Sequence, residues 1–149
     1  MERRTFRRRG TASFSLQREA IPNNSCCMRI LLVEDHDETR QILTQLLTHW
    51  GFEVTPVENL HDGLDQLDGA DRIDVILSDI GLPDGTGYAL VSEARRRGKD
   101  VLAIALSGFD RPTEVQVAKM TGFDHHLSKP FDCQQLRSLL EEKIYRRSS

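Results

Sequence analysis

The sequence predicts a doubly wound α/β fold, in which five parallel strands form one sheet and helices cover both of its faces. Three observations lead to this prediction. Short apolar runs rich in β-branched residues alternate with longer segments whose apolar residues recur at helical spacing. Glycine and proline mark the boundaries between the segments. The pattern covers about 120 residues, which favours an open, flavodoxin-like sheet of order 2-1-3-4-5 over a barrel.

The first half of the pattern predicts three strands and two helices. Residues 29–33 form a short apolar run that is typical of a strand buried in a parallel sheet. Residues 37–50 carry large apolar side chains at helical spacing, and Gly51 supplies a stop. The other predicted elements of this half are a strand at 53–57, a helix at 60–67 and a strand at 74–78.

The second half begins with a turn at 81–85 and a helix that ends near Arg97. Its last residues are three arginines, 95–97, which we expect to form a solvated helix end beside the terminal carbonyl groups. The most apolar run of the chain, 101–106, is predicted as a central strand.

Two further helices and one strand complete the pattern. Pro112 lies where the first turn of a helix favours proline, and Gly122 ends that helix. Residues 123–127 are predicted as the fifth strand. The last helix is expected to begin after Asp132 as N-cap, with Gln135 as the reciprocal partner in a capping box.

Charge divides the chain into unlike parts. Residues 1–27 contain six arginines and two glutamates, a net charge of +4, so the remainder carries −7 within a total of −3. Because residues 1–27 show no sustained apolar period, they are interpreted as a basic flexible arm or linker. Residues 28–146 form the expected domain and 147–149 a tail. An acidic body is unlike a nucleic-acid-binding surface, so no direct DNA binding is expected.

Composition excludes several other classes of protein. The longest apolar run is far too short to cross a bilayer, and no apolar segment of the kind found in a secretory signal follows the first arginines. The three cysteines, Cys26, Cys27 and Cys133, form neither a disulfide framework nor a metal motif. A cytoplasmic protein without membrane contact is therefore expected.

Polar residues follow four of the predicted strands. Glu34 and Asp35 follow the first strand, Asp79 the third, Ser107 the fourth and Lys129 the fifth. One carboxylate at such a position is usually a helix cap, but the carboxyl ends of parallel strands meet at one sheet edge, where α/β proteins bind ligands. Three carboxylates packed together repel one another unless a cation is present, and Mg²⁺ is the natural oxygen-seeking candidate.

These motifs, taken together, resemble the receiver domain of two-component response regulators. The resemblance covers about residues 29–144, and the order and spacing of its fragments make it specific. The matching fragments are Val33-Glu34-Asp35, Asp79-Ile80-Gly81-Leu82-Pro83-Asp84-Gly85, Leu106-Ser107-Gly108 and Lys129-Pro130-Phe131.

The resemblance implies that Asp79 accepts a phosphoryl group from a histidine kinase or phosphotransfer protein. It assigns Mg²⁺ to Asp35, Asp79 and the backbone carbonyl of Gly81, with Glu34 supporting the metal. Gly81 is smaller than the residue that this family often has there, which predicts an unusual lifetime for the phosphoryl group. The domain would be no enzyme beyond its own phosphorylation and dephosphorylation.

The resemblance also assigns a switch that acts on a downstream protein target. Ser107 would hydrogen-bond a phosphoryl oxygen, and Lys129 would pair with the acceptor and precede a cis peptide bond. His126 stands where the family often has Tyr or Phe as the second switch residue, which leaves the usual switch in question. Histidine can change rotamer too, but its side chain titrates near neutral pH.

Several alternatives stay open at this point. No output module is expected after residue 144, so the domain is either stand-alone or the receiver part of a hybrid sensor kinase, and a homodimer is possible. The rival function is a phosphorylation-independent interaction module with the same fold, which would tend to lose the complete acidic, hydroxyl and lysine set. An aspartyl phosphatase fits poorly, because Gly81 stands where such enzymes usually carry a second aspartate. Flavin binding is disfavoured by the acidic run at 34–38.

Overall fold

The computed structural model describes residues 28–69, 72–108 and 122–148, with side chains up to Ile144. The predicted helix at Pro112 and the arm 1–27 lie outside these residues. The described elements are β1 (Arg29–Val33), α1 (Asp37–His49), β2 (Glu53–Val57), α2 (Leu60–Gly69), β3 (Val75–Asp79), β4 (Gly81–Leu82), β5 (Gly85–Thr86), α3 (Gly87–Arg96), β6 (Leu102–Ser107), β7 (His125–Ser128) and α4 (Cys133–Ser148).

The main sheet has five parallel strands in the order β2-β1-β3-β6-β7. Strands β4 and β5 form a separate antiparallel hairpin of two residues each. Counted without this hairpin, the strand order is 2-1-3-4-5, and the predicted fold class is confirmed. Strand β2 lies at one edge of the sheet, and its Pro56 is in register with Leu32 of β1.

Two hydrophobic clusters cover the two faces of the sheet. Alternate residues of each strand belong to opposite clusters, as the period of two requires: Leu32 and Leu77 face α1 and α4, whereas Leu31 and Ile76 face α2 and α3. Every residue of β3 and β6 is buried, which fits their central position. This packing fixes the strands and therefore the edge at which they end.

The last strand differs slightly from its predicted bounds, whereas the last helix begins directly after Asp132 as predicted. Strand β7 begins at His125 and not at residue 123. Phe123 is apolar because it is a buried loop residue whose ring packs edge-on against Tyr88, and not because it lies in the strand. Helix α4 has the expected capping pair. Asp132 Oδ1 accepts a hydrogen bond from the Gln134 amide at 3.0 Å, and the Asp132 amide donates to Gln135 Oε1 at 3.4 Å.

The prediction of a solvated helix end at the close of α3 holds for Arg96 and Arg97, which are exposed, but is wrong for Arg95, which is half-buried and bound to protein groups. Arg95 donates hydrogen bonds to the carbonyls of Val101 and Gly122 and to Asp124 Oδ2, all at 2.8–3.1 Å. Val101 immediately precedes β6, and Gly122 and Asp124 precede β7. None of the three acceptors belongs to α3. Arg96 and Arg97 both pair with Glu93.

None of the helices in the described ranges combines the length and the apolar character needed to cross a bilayer.

Candidate functional site

Three carboxylates meet at the carboxyl ends of β1 and β3. Glu34 and Asp35 directly follow β1, and Asp79 is the last residue of β3, its neighbour in the sheet. Each residue offers a carboxylate oxygen that lies within 4.8 Å of those of the other two. Glu34 is fully buried, Asp79 is 9% exposed and Asp35 is open to solvent. The structure thus brings together the acidic residues that the sequence places at strand ends.

Lys129 supplies the positive charge of the site. Its Nζ lies 2.9 Å from Glu34 Oε1 and 3.0 Å from Asp79 Oδ1. The Lys129 amide donates to the Ser107 carbonyl at 2.6 Å, and the Lys129–Pro130 peptide bond is cis, as the resemblance implied. One ammonium group therefore bridges two carboxylates, and the main chain that carries it is bound to the end of β6.

Burial and mutual contact separate the acidities of the two inner carboxyl groups. Burial raises the pKa of Asp79, and a hydrogen bond and charge repulsion from Glu34 raise it further, to about 7, against the opposing effect of Lys129. Burial acts in the same sense on Glu34, but hydrogen bonds from Asp79, Lys129 and the His36 amide outweigh it and lower the Glu34 pKa. Of the two inner carboxyl groups, Asp79 is therefore the weaker acid and Glu34 the stronger.

The same two contacts act on Lys129. Burial alone would lower the pKa of its ammonium group, but hydrogen bonds and charge attraction from Glu34 and Asp79 outweigh burial and raise the pKa. Lys129 is therefore charged throughout the physiological range.

The turn after β1 is fixed by contacts that the sequence reasoning missed. Glu34 Oε2 accepts a hydrogen bond from the His36 amide at 3.2 Å, and the Glu34 carbonyl accepts one from Arg40 Nη1 at 2.9 Å. His36 is also the N-cap of α1, with its side chain accepting from the Thr39 amide. A polar residue immediately before the helical pattern was the available signal for this cap.

The loop after Asp79 is a short hairpin tied to α2. Gly81 is exposed, pairs with Thr86, and has open space where a side chain would project. The turn of the hairpin contains Asp84, whose two carboxylate oxygens accept hydrogen bonds from the amides of Leu60 and His61 at 2.7 and 2.9 Å. These bonds cap the first turn of α2 and hold the hairpin in place.

Ser107 and His126 lie on the neighbouring strands β6 and β7. Ser107 is buried and follows Leu106, the register partner of Asp79. His126 is in register with Ala105, and its Nε2 is enclosed without a hydrogen-bond partner. His125 points to the opposite face, where its Nε2 lies 3.0 Å from Glu142 of α4. Ser107 and His126 therefore share one face of the sheet.

The donor atoms of the site fit a hard divalent cation. Glu34, Asp35 and Asp79 offer only carboxylate oxygens, the ligand type that Mg²⁺ and Ca²⁺ prefer. Their close approach also carries more negative charge than one lysine balances. The acidic cluster can accommodate a cation of this class.

Comparison with known proteins decides the family. Residues 30–141 match the family described as the response regulator receiver domain. The chain belongs to this family.

Its relatives include proteins of very different length. The receiver is 32% identical over 117 residues to an uncharacterized 14.6 kDa protein of Leptolyngbya boryana, covering 77% of this chain and 88% of the relative. It is 35% identical over 121 residues to the KDP operon transcriptional regulatory protein KdpE of Escherichia coli, covering 80% of this chain and 52% of the relative. It is 30% identical over 115 residues to the sensor histidine kinase RcsC of Salmonella typhi, covering 76% of this chain and 12% of the relative. The chain thus spans about half the length of KdpE and about an eighth of the length of RcsC.

Solved structures agree on the fold. A two-component response regulator from Clostridium difficile superposes with a TM-score of 0.76 at 20% identity, covering 82% of this receiver and 99% of that chain.

Proposed function

We propose that this receiver domain accepts a phosphoryl group on Asp79 from a phosphohistidine of a histidine kinase or phosphotransfer protein. The observation that carries the proposal is the contact of one ammonium group, Lys129 Nζ, with both Asp79 and Glu34 beside the exposed Asp35. Glu34 is fully buried, and both of its carboxylate oxygens already have partners, so a donor cannot reach it. Asp79 keeps partial access to solvent and is the better acceptor.

The transfer makes one bond and breaks one. A carboxylate oxygen of Asp79 attacks phosphorus, the phosphorus–nitrogen bond of the donor breaks, and the imidazole leaves with its electron pair and takes up a proton. Carboxylate is a weak nucleophile, so the protein contributes mainly position and charge neutralisation. Lys129 is placed to neutralise charge on the transferring group, because its Nζ already contacts Asp79.

Asp35, Asp79 and the Gly81 carbonyl are the proposed ligands of Mg²⁺. Because Lys129 and the His36 amide occupy the two oxygens of Glu34, we assign Glu34 a supporting role beside the metal. Mg²⁺ in this position would supply a second positive charge against the oxygens of the transferring group.

The remaining residues are proposed to convert phosphorylation into partner binding. An aspartyl phosphate adds a charge of roughly −1.5 to −2, the value typical of phosphorylated side chains, which would attract the hydroxyl of Ser107. His126, on the same face of the sheet as Ser107, is the candidate second switch residue. We propose that a downstream protein binds the phosphorylated form. A second copy of this chain, bound as a homodimer, is one candidate for that partner.

The proposed domain comprises residues 28–146, between a basic arm at 1–27 and a tail at 147–149. Two organisations are supported by different relatives: a protein of nearly the same length, and a sensor kinase of which a receiver occupies a small part. With either organisation we propose a cytoplasmic location, because the kinases that supply the phosphoryl group obtain ATP there.

The decisive experiment is intact-mass measurement after incubation with acetyl phosphate and Mg²⁺. We expect one phosphoryl adduct on the wild-type chain and none on Asp79→Asn or without the metal. Asp65→Asn, an exposed aspartate on α2, is the matched control and should keep the adduct. An adduct that persists in Asp79→Asn would place the acceptor elsewhere. No adduct on a folded wild-type chain would favour the phosphorylation-independent interaction module.

Gly81 is expected to shorten the lifetime of the phosphoryl group. Nothing lies within 4 Å of a Cβ atom built there, so water has free access from that side and the first atom of a larger side chain meets no obstacle. In Gly81→Met the dephosphorylation rate should fall on the order of tenfold, or about 1.4 kcal/mol in barrier height. Release of phosphate after donor removal measures the rate. Gly69→Met, at an equally open position at the end of α2, should match wild type, and equal rates in all three proteins would refute the prediction.

A further inference from the structure

Gly87, the first residue of α3, packs directly against the main chain of Asp79. A Cβ atom at Gly87 would lie 2.3 Å from the Asp79 carbonyl oxygen, 3.3 Å from its carbonyl carbon and 2.9 Å from Ser78 Oγ. Side-chain carbons are essentially never found closer than 3.0 Å to such atoms. The Gly87 backbone has no positive φ angle, so the position requires space and not the conformational freedom of glycine.

The neighbours of Gly87 have little room to yield. The Asp79 carbonyl accepts a hydrogen bond from Ser78 Oγ at 2.8 Å, and both residues are buried at the end of the central strand β3. The Gly87 amide donates to the Ile80 carbonyl at 2.8 Å, which closes the hairpin loop back onto the strand. An added methyl group would therefore move the main chain of Asp79, the start of α3, or both.

Other close glycines in the described segments differ in what they touch. A Cβ at Gly85 would lie 2.5 Å from Leu60 Cδ2, and one at Gly122 would lie 2.9 Å from Arg95 Cγ. Both contacts involve side-chain atoms and not the main chain, and the Leu60 atom is the free end of a side chain that can rotate away. Within the described residues, Gly87 is the glycine whose missing side chain makes room for the backbone of the proposed acceptor.

We propose that Gly87 is a positioning residue for the acceptor, which sets where the Asp79 carboxylate lies relative to Lys129 and the proposed Mg²⁺ site. This inference rests on the proposed function of Asp79. The Asp79 carbonyl carbon is bonded to the Cα atom from which the carboxylate side chain extends, so a shift of that peptide moves the carboxylate with it. Displacements of about 1 Å cost on the order of a hundredfold in rate when reacting groups must be in line.

The test compares Gly87→Ala with Gly85→Ala, a control in the same loop whose added methyl meets only the movable end of Leu60. Two quantities are measured on the full chain: the limiting rate of phosphorylation at saturating acetyl phosphate, and the dissociation constant for Mg²⁺ in the absence of donor. Circular dichroism and thermal unfolding establish that each variant is folded at the assay temperature. We expect Gly87→Ala to lower the limiting rate at least tenfold and to weaken Mg²⁺ binding several-fold, with Gly85→Ala near wild type in both.

Each other outcome has a definite meaning. If both variants lose rate and Mg²⁺ affinity alike, in proportion to their loss of thermal stability, Gly87 has only a packing role and the inference is wrong. It is also wrong if Gly87→Ala matches wild type. If the wild-type chain binds Mg²⁺ but accepts no phosphoryl group, the proposed function fails, and the Mg²⁺ affinities alone then decide the role of Gly87. A wild-type chain that does neither overturns both proposals.

Discussion

Asp79→Asn is expected to stabilise the metal-free domain by on the order of 2 kcal/mol at pH 8. At that pH the wild-type domain holds two ionised carboxylates, Glu34 and Asp79, against the single ammonium of Lys129. An amide at position 79 removes one of the two charges and keeps an oxygen for Lys129. Urea unfolding of both proteins in the presence of a chelator measures the difference.

The pH dependence of this difference has a definite sign. The Asp79 pKa is raised in the folded state from the ordinary 3.8 to about 7, so its stabilising effect is complete below pH 3.8 and is lost as the pH rises through about 7. The advantage of Asp79→Asn should therefore be small at pH 4 and reach its maximum above pH 7. A difference that is constant from pH 4 to 8 would contradict the acidities assigned to the pair.

Lys129→Met should have the opposite effect, a loss of about 3 kcal/mol in the free energy of unfolding at pH 8 without metal. The substitution leaves Glu34 fully buried and Asp79 largely buried with no cation between them. The same variant should also accept phosphoryl groups far more slowly, because Lys129 no longer neutralises the transferring group. Urea unfolding and the intact-mass assay measure the two effects.

Lys143→Met is the matched control for Lys129. Lys143 is also buried, but its ammonium group donates to the backbone carbonyl of Asp100. The Asp100 carboxylate, with which it also pairs, is almost fully exposed. We expect a loss of about 1 kcal/mol there, and no effect on phosphorylation. Combining Lys129→Met with Asp79→Asn should recover part of the lost stability, because one of the stranded charges is gone. Equal losses in the two lysine variants, with no recovery in the double variant, would contradict the bridging role of Lys129.

Local patterns were sufficient to predict most of the fold. Strands β1 and β2 have their predicted bounds. For β1 the reason is that a short apolar run between turn residues leaves little freedom in a parallel sheet. Errors arose where an apolar residue packs without belonging to a strand, as Phe123 does. A further error concerned Arg95, whose acceptors come from segments that only tertiary structure brings to the end of α3.

The candidate site was predictable in its composition but not in its contacts. Strand ends placed the acidic residues and Lys129 at one edge, but the spacing of residues could not show that Lys129 contacts Glu34 as well as Asp79. The close contact of Gly87 with the Asp79 carbonyl was missed for the same reason. Such contacts depend on differences of an ångström in loop geometry, and the sequence pattern carries no information at that scale.

Pro56 limits how copies of this domain can associate. The Glu53 amide donates towards β1, to the Met28 carbonyl, and the amides of a strand alternate in direction. Position 56 is therefore one whose nitrogen faces away from the sheet, and proline leaves no hydrogen there. A strand from another molecule that approached β2 would find a donor missing at the middle of its ladder. Dimers that extend the sheet by pairing at β2 are therefore disfavoured, and so is edge-to-edge aggregation through β2 at high concentration.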